Sequence, residues 1–190
     1  MNRVVVTGMG VYSCIGLNKE AVLDSLMNGR SGIVFDQERK DFGYRSGLVG
    51  LVPRPDLKLQ LDRRARIMLP EEGEFAYVAA KEAFAQAQVT TEQIKELQCG
   101  IIFGNDSTVK PVYESIELVK QKKDTTLLGS GAIFQSMNST VNMNLSTIFA
   151  LTGVNFTISA ACASGSHSIG MAYLLPKQGL QKMVLVGGAQ

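Results

Sequence analysis

Among the 190 residues are three cysteines and one histidine, and Cys162 stands in a setting suited to nucleophilic chemistry. It lies in the run NFTISAACASGSHSIG, residues 155–170. The apolar alternation before it predicts a strand, Ala160 and Ala161 a tight turn, and the residues from Cys162 onward a helix. A thiolate is the working nucleophile of a cysteine, and a helix N-terminus favours negative charge. Small neighbours, Ala161, Ala163 and Gly165, leave room for a substrate carbonyl to approach the sulfur. Backbone N–H groups of the same turn are suited to holding an oxyanion. His167 stands five residues into that helix, on a different face from the thiol, and reads as a packed or hydrogen-bonded helix histidine. Cys14, in a turn, and Cys99, just before a strand, read as buried small hydrophobes. An odd cysteine count without CxxC spacing fits neither a disulfide scaffold nor a zinc site, so no metal is expected. A reducing, cytoplasmic compartment fits that inventory best.

The elements that must position Cys162 follow from the periodicity. Short apolar runs at 100–104, 154–159 and 183–188 read as strands, the first buried on both faces. Helical spacing appears at 18–28, capped by Asn18 and stopped by Gly29, with Ala21, Val22, Ser25 and Leu26 on one face. It recurs at 71–88, through Phe75, Val78, Ala79, Glu82, Ala83 and Phe84, and at 112–122, 134–151 and 162–175. Pro176 is expected to end the last of these early. Residues 30–61 read as irregular, with a short strand pair around 47–52. Residues 3–7 read as an opening strand running into Gly8-Met9-Gly10. Position 13 is Ser where a dinucleotide fingerprint needs its third glycine, and no acidic ribose anchor follows, so nucleotide binding is not expected. Strands alternating with helices predict an α/β fold with a largely parallel sheet.

Composition bounds the function. Nineteen Lys+Arg against seventeen Asp+Glu leave +2, which excludes a general polyanion binder, and no nucleic-acid partner is expected. The N-terminus lacks the apolar run of a secretory signal, and no stretch reaches the roughly 18 apolar residues of a membrane helix. Residues 125–176 hold no Asp, Glu, Lys or Arg, yet are rich in Asn, Ser, Thr and Gly, which points to a buried tract rather than a lipid-facing one. A chain ending on the core strand 183–188 reads as one half of a longer protein.

SAACASGSHSIG, residues 159–170, resembles the active-site cysteine signature of the β-ketoacyl-acyl carrier protein synthases. Residues 3–16 (RVVVTGMGVYSCIG), 28–35 (NGRSGIVF) and 184–190 (VLVGGAQ) extend the resemblance over nearly the whole chain, which looks most like the elongating bacterial type I enzymes. The strand–nucleophile–helix order is similar in logic to a hydrolase elbow, with sulfur replacing hydroxyl. The resemblance implies a thiolase-like fold, two similar halves stacked as α-β-α-β-α layers, of which residues 1–190 match the N-terminal half-domain. It implies a decarboxylating Claisen condensation with Cys162 as the acyl-carrying nucleophile. It also implies no cofactor beyond the phosphopantetheine of an acyl carrier protein, a homodimer, and neither membrane nor nucleic-acid partners. Ala161 and Ala163 form the substrate and oxyanion environment. The family's catalytic histidines, lysine and second oxyanion donor belong to the C-terminal half.

Arg63, Arg64 and Arg66 stand where carrier-docking residues occur in the similar enzymes; Lys110, Lys120, Lys122 and Lys123 make a second, weaker cluster. A thiolase acting on coenzyme A thioesters and a condensing enzyme of polyketide or aryl polyene metabolism are the alternatives. An inactive chain-length factor fits poorly, because Cys162 is retained.

Overall fold

The computed structural model describes residues 2–129 and 131–189. In chain order it comprises α1 (Lys19–Met27), β1 (Ile33–Phe35), α2 (Gln37–Asp41), β2 (Leu48–Gly50), α3 (Arg63–Met68), α4 (Glu71–Ala87) and α5 (Thr91–Glu96). Then come β3 (Gly100–Gly104), α6 (Lys110–Lys122), α7 (Gly131–Gln135), α8 (Thr140–Ile148), β4 (Asn155–Ile158), a 3₁₀ turn Ala161–Ala163, α9 (Ser164–Lys177) and β5 (Val184–Gly188).

β3 is the centre. Its five residues are all buried, as an unbroken apolar run predicts. β4 and β5 pair with it in parallel on either side, giving the order β4-β3-β5. Side chains alternate across a strand. Ile101 and Phe103 join Tyr77, Val141, Leu145 and Leu185 in the core cluster. Ile102, out of phase with them, is equally buried. α8 packs on β3 and β4, and α9 lies along β3, β4 and β5.

Several expectations need correction. Residues 3–7 belong to no strand: a ladder requires a hydrogen-bonded neighbouring strand, and none pairs with them among the described residues; Val5 and Val6 remain exposed. The residues that follow, 8–11, run over α4. The Met9 N–H donates to Gln86 Oε1 at 2.7 Å, and the Val11 N–H to Glu82 Oε2 at 2.9 Å. A Cβ at Gly8 would sit 2.0 Å from the Ala83 carbonyl oxygen, and one at Gly10 1.8 Å from that of Ala79. The two glycines therefore permit close contact between backbones. On α4 Gly73, Glu74, Ala76, Tyr77 and Ala80 are buried, Val78 and Phe84 of the helically spaced set pack against the core, and Ala79 and Ala83 meet the N-terminal segment.

The expected helix 134–151 is two, α7 and α8, interrupted at Ser136-Met137-Asn138-Ser139. There the Ser136 hydroxyl donates to the Ile133 carbonyl at 2.7 Å, competing with helix continuation. α3 and α5 were not anticipated, although both carry caps. Asp62 accepts the Ala65 N–H, and Thr90 with Gln93 forms a capping box. The short strand pair is real, β2 pairing antiparallel with β1 at Ile33–Phe35. On α1, Ser25 is buried whereas Leu26 is exposed. Pro176 lies inside α9 without ending it early: the helix reaches Lys177, so the missing proline N–H falls only in its last turn.

The sheet and α9 touch backbone to backbone. A Cβ on Gly104 would lie 2.4 Å from the Ser164 carbonyl carbon and 2.5 Å from the Gly165 nitrogen. Gly104→Ala must therefore push α9 off the sheet. The expected cost is about 1–3 kcal/mol, read as a melting temperature lower by roughly 2–10 °C. An unchanged melting temperature would show that the contact is looser than drawn.

Candidate active site

β4 ends at Ile158, beside Gly104 at the end of β3, so the turn that follows sits at the carboxyl edge of a parallel sheet. Ligands of open α/β sheets gather at that edge. Ala160 has φ −154° and ψ 43°, and Ala161 has φ 46°. Left-handed backbone costs a residue with a side chain roughly 1–3 kcal/mol, so neighbouring groups must hold it.

Two side chains do so. The Ser164 hydroxyl, buried beneath the turn, accepts the Ala160 N–H at 2.8 Å and donates to the Ala161 carbonyl at 2.6 Å. From the other side, Asp106 Oδ1 accepts the Ala161 N–H at 3.2 Å and the Ser159 hydroxyl. The Ser159 hydroxyl, then the Ala161 N–H, hold the Asp106 carboxyl below its ordinary value, so its charged form persists to lower pH than that of an ordinary aspartate. None of Asp106, Ser159 and Ser164 was anticipated as a site residue. The available signal was an acid two residues beyond a buried parallel strand.

The cysteine side chain stands at the crest of this turn, exposed. It precedes α9 rather than opening it, since Ala161–Ala163 is 3₁₀ and the α-helix starts at Ser164. Ala163 donates its N–H to the Ala160 carbonyl at 3.0 Å, and Ala161 donates to Asp106. Both flanking amides are thus engaged, and the Cys162 N–H has no protein acceptor among the described residues. The expected oxyanion donors narrow to that one amide. Ala161 and Ala163 contribute small, exposed side chains beside the sulfur.

The other cysteines differ. Cys99 is fully buried, and desolvation pushes its thiol up to about 11, well out of the nucleophilic range. Cys14 is half-buried rather than buried as expected. His167 is neither packed nor hydrogen-bonded among the described residues. It is exposed on the outer face of α9, lining an open depression of about 390 Å³ with Ser166, Gly170 and Met171. No group of three or more metal-ligating side chains occurs among the described residues.

The basic clusters are less uniform than the sequence implies. Arg63 and Arg64 are exposed on α3, but the Arg66 Nε donates to the Leu61 carbonyl at 3.2 Å. α3 packs against α7 and α8. In the second cluster all four lysines are exposed, and Lys110 pairs with Glu71 and Lys120 with Glu117.

The model of the β-ketoacyl synthase N-terminal domain matches residues 1–190. The chain belongs to the β-ketoacyl synthase family. It is 34% identical over 192 residues to 3-oxoacyl-[acyl-carrier-protein] synthase 1 of Buchnera aphidicola subsp. Schizaphis graminum, covering 100% of this chain and 47% of that one. It is likewise 34% identical over 193 residues to the synthase 1 of Escherichia coli K12, with the same shares, 100% and 47%. A β-ketoacyl synthase crystal structure from Burkholderia phymatum STM815 superposes with a TM-score of 0.85 at 27% identity, covering 98% of this chain and 46% of that one. The fold of this β-ketoacyl synthase chain is the expected thiolase-like α/β fold. The chain spans about half the length of the curated relatives it matches.

Ser164 is 2% exposed, and Ser164→Ala removes the hydroxyl that accepts the Ala160 N–H and donates to the Ala161 carbonyl. The expected loss is about 1–3 kcal/mol in urea unfolding, with slower alkylation of Cys162 in the folded state. Wild-type values for both would show that the turn does not depend on this hydroxyl.

Proposed function

We propose that residues 1–190 form the nucleophile-bearing half-domain of a condensing acyltransferase of fatty acid biosynthesis. The observation that carries this reading is an exposed cysteine on a doubly stapled turn, whose own N–H has no protein acceptor among the described residues. The names of the relatives that are 34% identical supply the substrate class, acyl-carrier-protein thioesters.

In the first step the Cys162 thiolate attacks the acyl thioester carbonyl. The oxyanion forms beside the Cys162 N–H, the carbon–sulfur bond to the carrier breaks, and the carrier thiolate leaves and takes a proton. In the second step a malonyl thioester loses carbon dioxide, and its carbanion attacks the acyl-cysteine carbonyl. A carbon–carbon bond forms, Cys162 departs as thiolate, and the product is two carbons longer. Stabilising that carbanion needs groups beyond this turn. The single histidine, His167, lies on the exposed outer face of α9, so the remaining groups are assigned to the rest of a longer protein.

Arg63 and Arg64, exposed on α3, are the proposed docking cations for the acidic carrier; Arg66 has a smaller part, being tied to Leu61. A homodimer is proposed through β4, an edge strand among the described residues with Phe156 exposed, since exposed edges invite pairing. A cytoplasmic setting fits three unpaired cysteines, and no helix of the described residues is long and apolar enough to cross a membrane.

Incubating the full-length protein with an acyl-carrier-protein thioester should add one acyl mass to the Cys162 peptide, and Cys162→Ala should abolish both that adduct and condensation. Iodoacetamide should label Cys162 before Cys14 and Cys99. Preferential labelling of Cys14, or an adduct that survives Cys162→Ala, would reject the reading. Sedimentation should give a dimer at micromolar concentration; a monomer would reject the β4 interface alone.

A further inference from the structure

We infer that Asp106 is a positioning residue for Cys162, holding the nucleophile's turn in its left-handed conformation through Ala161 and Ser159. The inference rests on the reading of Cys162 as the acyl-accepting nucleophile.

Asp106 lies two residues beyond β3, and the turn it holds follows β4, the neighbouring strand. A single oxygen, Oδ1, accepts from two donors that bracket Ala160: the Ser159 hydroxyl before it and the Ala161 N–H after it, the latter at 3.2 Å. The first bond anchors the end of β4, and the second fixes the amide of the residue whose φ is 46°. These two bonds on one side, and the two of Ser164 on the other, define the peptide leading into Cys162.

A second consequence concerns selection among amides. By engaging the Ala161 N–H, the carboxylate removes it as a competing donor, so an oxyanion formed at the sulfur meets the Cys162 N–H alone on this turn. Relaxation of Ala161 would rotate both the thiol and that N–H away from the carbonyl they share. A misplacement on the order of 1 Å costs a reacting pair roughly 100-fold.

Asp106 should therefore act on the rate of the acyl-transfer step and leave carrier recognition alone, because among the described residues its carboxylate bonds only Ser159 and Ala161 and pairs with no cation. The charge itself is not required, only an acceptor oxygen in that position. Asparagine supplies one through its amide oxygen and alanine supplies none.

In the full-length protein, single-turnover acylation of Cys162 by an acyl-carrier-protein thioester is compared in wild type, Asp106→Ala, Asp106→Asn and Ser159→Ala. Asp106→Ala should lower the maximal acylation rate by roughly 10- to 100-fold, with the half-saturating carrier concentration unchanged. Asp106→Asn should recover most of the rate, and Ser159→Ala should fall between them. Iodoacetamide labelling of Cys162 in the same proteins reads the turn without any acyl substrate. Should wild type itself fail to acylate, the functional reading falls, and the labelling series still decides Asp106: slowing in Asp106→Ala with rescue in Asp106→Asn upholds it. Wild-type acylation or labelling rates in Asp106→Ala overturn it, as does an equal loss in Asp106→Asn and Asp106→Ala. If Asp106→Ala does not fold, a wild-type rate in Ser159→Ala together with a full loss in Asp106→Asn overturns it.

Discussion

Everything about the site depends on how closely α9 approaches the sheet. Gly104 at the end of β3 and Gly188 at the end of β5 meet the first turn of α9 backbone to backbone: a Cβ on Gly104 would be 2.5 Å from the Gly165 nitrogen, and one on Gly188 3.0 Å from the Gly165 Cα. The stripe of α9 facing inward is Ser164, Ser168 and Ala172, small residues one turn apart. Small groups here let the helix axis drop toward the strands. Ser164 then falls low enough to reach under the turn and bond Ala160 and Ala161, while Ser168 returns its hydroxyl to the Ser164 carbonyl at 2.9 Å. A larger side chain at any of these positions would lift the helix, and the turn with Cys162 would lose its floor.

That constraint explains why the turn is strained and still well held. The chain must leave β4, reverse within a few residues and enter α9 at a height fixed by the glycine contact. Ala161 absorbs the reversal at φ 46°. Glycine would adopt that angle at less cost, so the alanine is sustained by its hydrogen bonds rather than by its own preference. The energy of holding it comes from Asp106 and Ser164, which are drawn from β3's exit loop and from α9 itself. The site is thus assembled by three neighbouring elements of one sheet edge, a more rigid support than a free loop offers.

Much of this was legible in the residues, and the failures share a physical cause. β3, β4, β5 and α9 carry their own periodicity, and Ala160-Ala161 before Cys162 announced a tight turn with small residues around the thiol. The Asp106–Ala161 bond joins residues 55 apart in sequence, and a single sequence contains no local trace of such a pair. The segment 3–7 has strand composition, but composition cannot report whether a neighbouring strand is there to pair with it. The packing of α4 is just as hard to read from its own residues. A helix gripped on two sides, by the core through Tyr77 stacked on Phe149 and by the N-terminal segment over Ala79 and Ala83, has no single apolar stripe to find. His167 was read as packed because helix histidines in apolar surroundings usually are; here the surroundings are themselves exposed.

The outer face of α9 connects the fold to the proposed division of labour. Ile169, Met171, Tyr173 and Leu174 stand on it, all at least 40% exposed, while its inner stripe carries the small residues. Such a helix is apolar on the side that meets solvent and minimal on the side that meets the sheet, the reverse of an ordinary surface helix. Cover over that face is what the proposed half-domain reading would supply, since the element carrying Cys162 at its head would then lie between two layers. Under that proposal the exposed Cys162 turn would be withdrawn from water and its N–H would act in a lower dielectric. A hydrogen bond to a developing oxyanion is worth more there than in water. The exposed apolar face and the reactivity proposed for the cysteine follow from one arrangement, a helix built to be enclosed and a turn placed at the end of it.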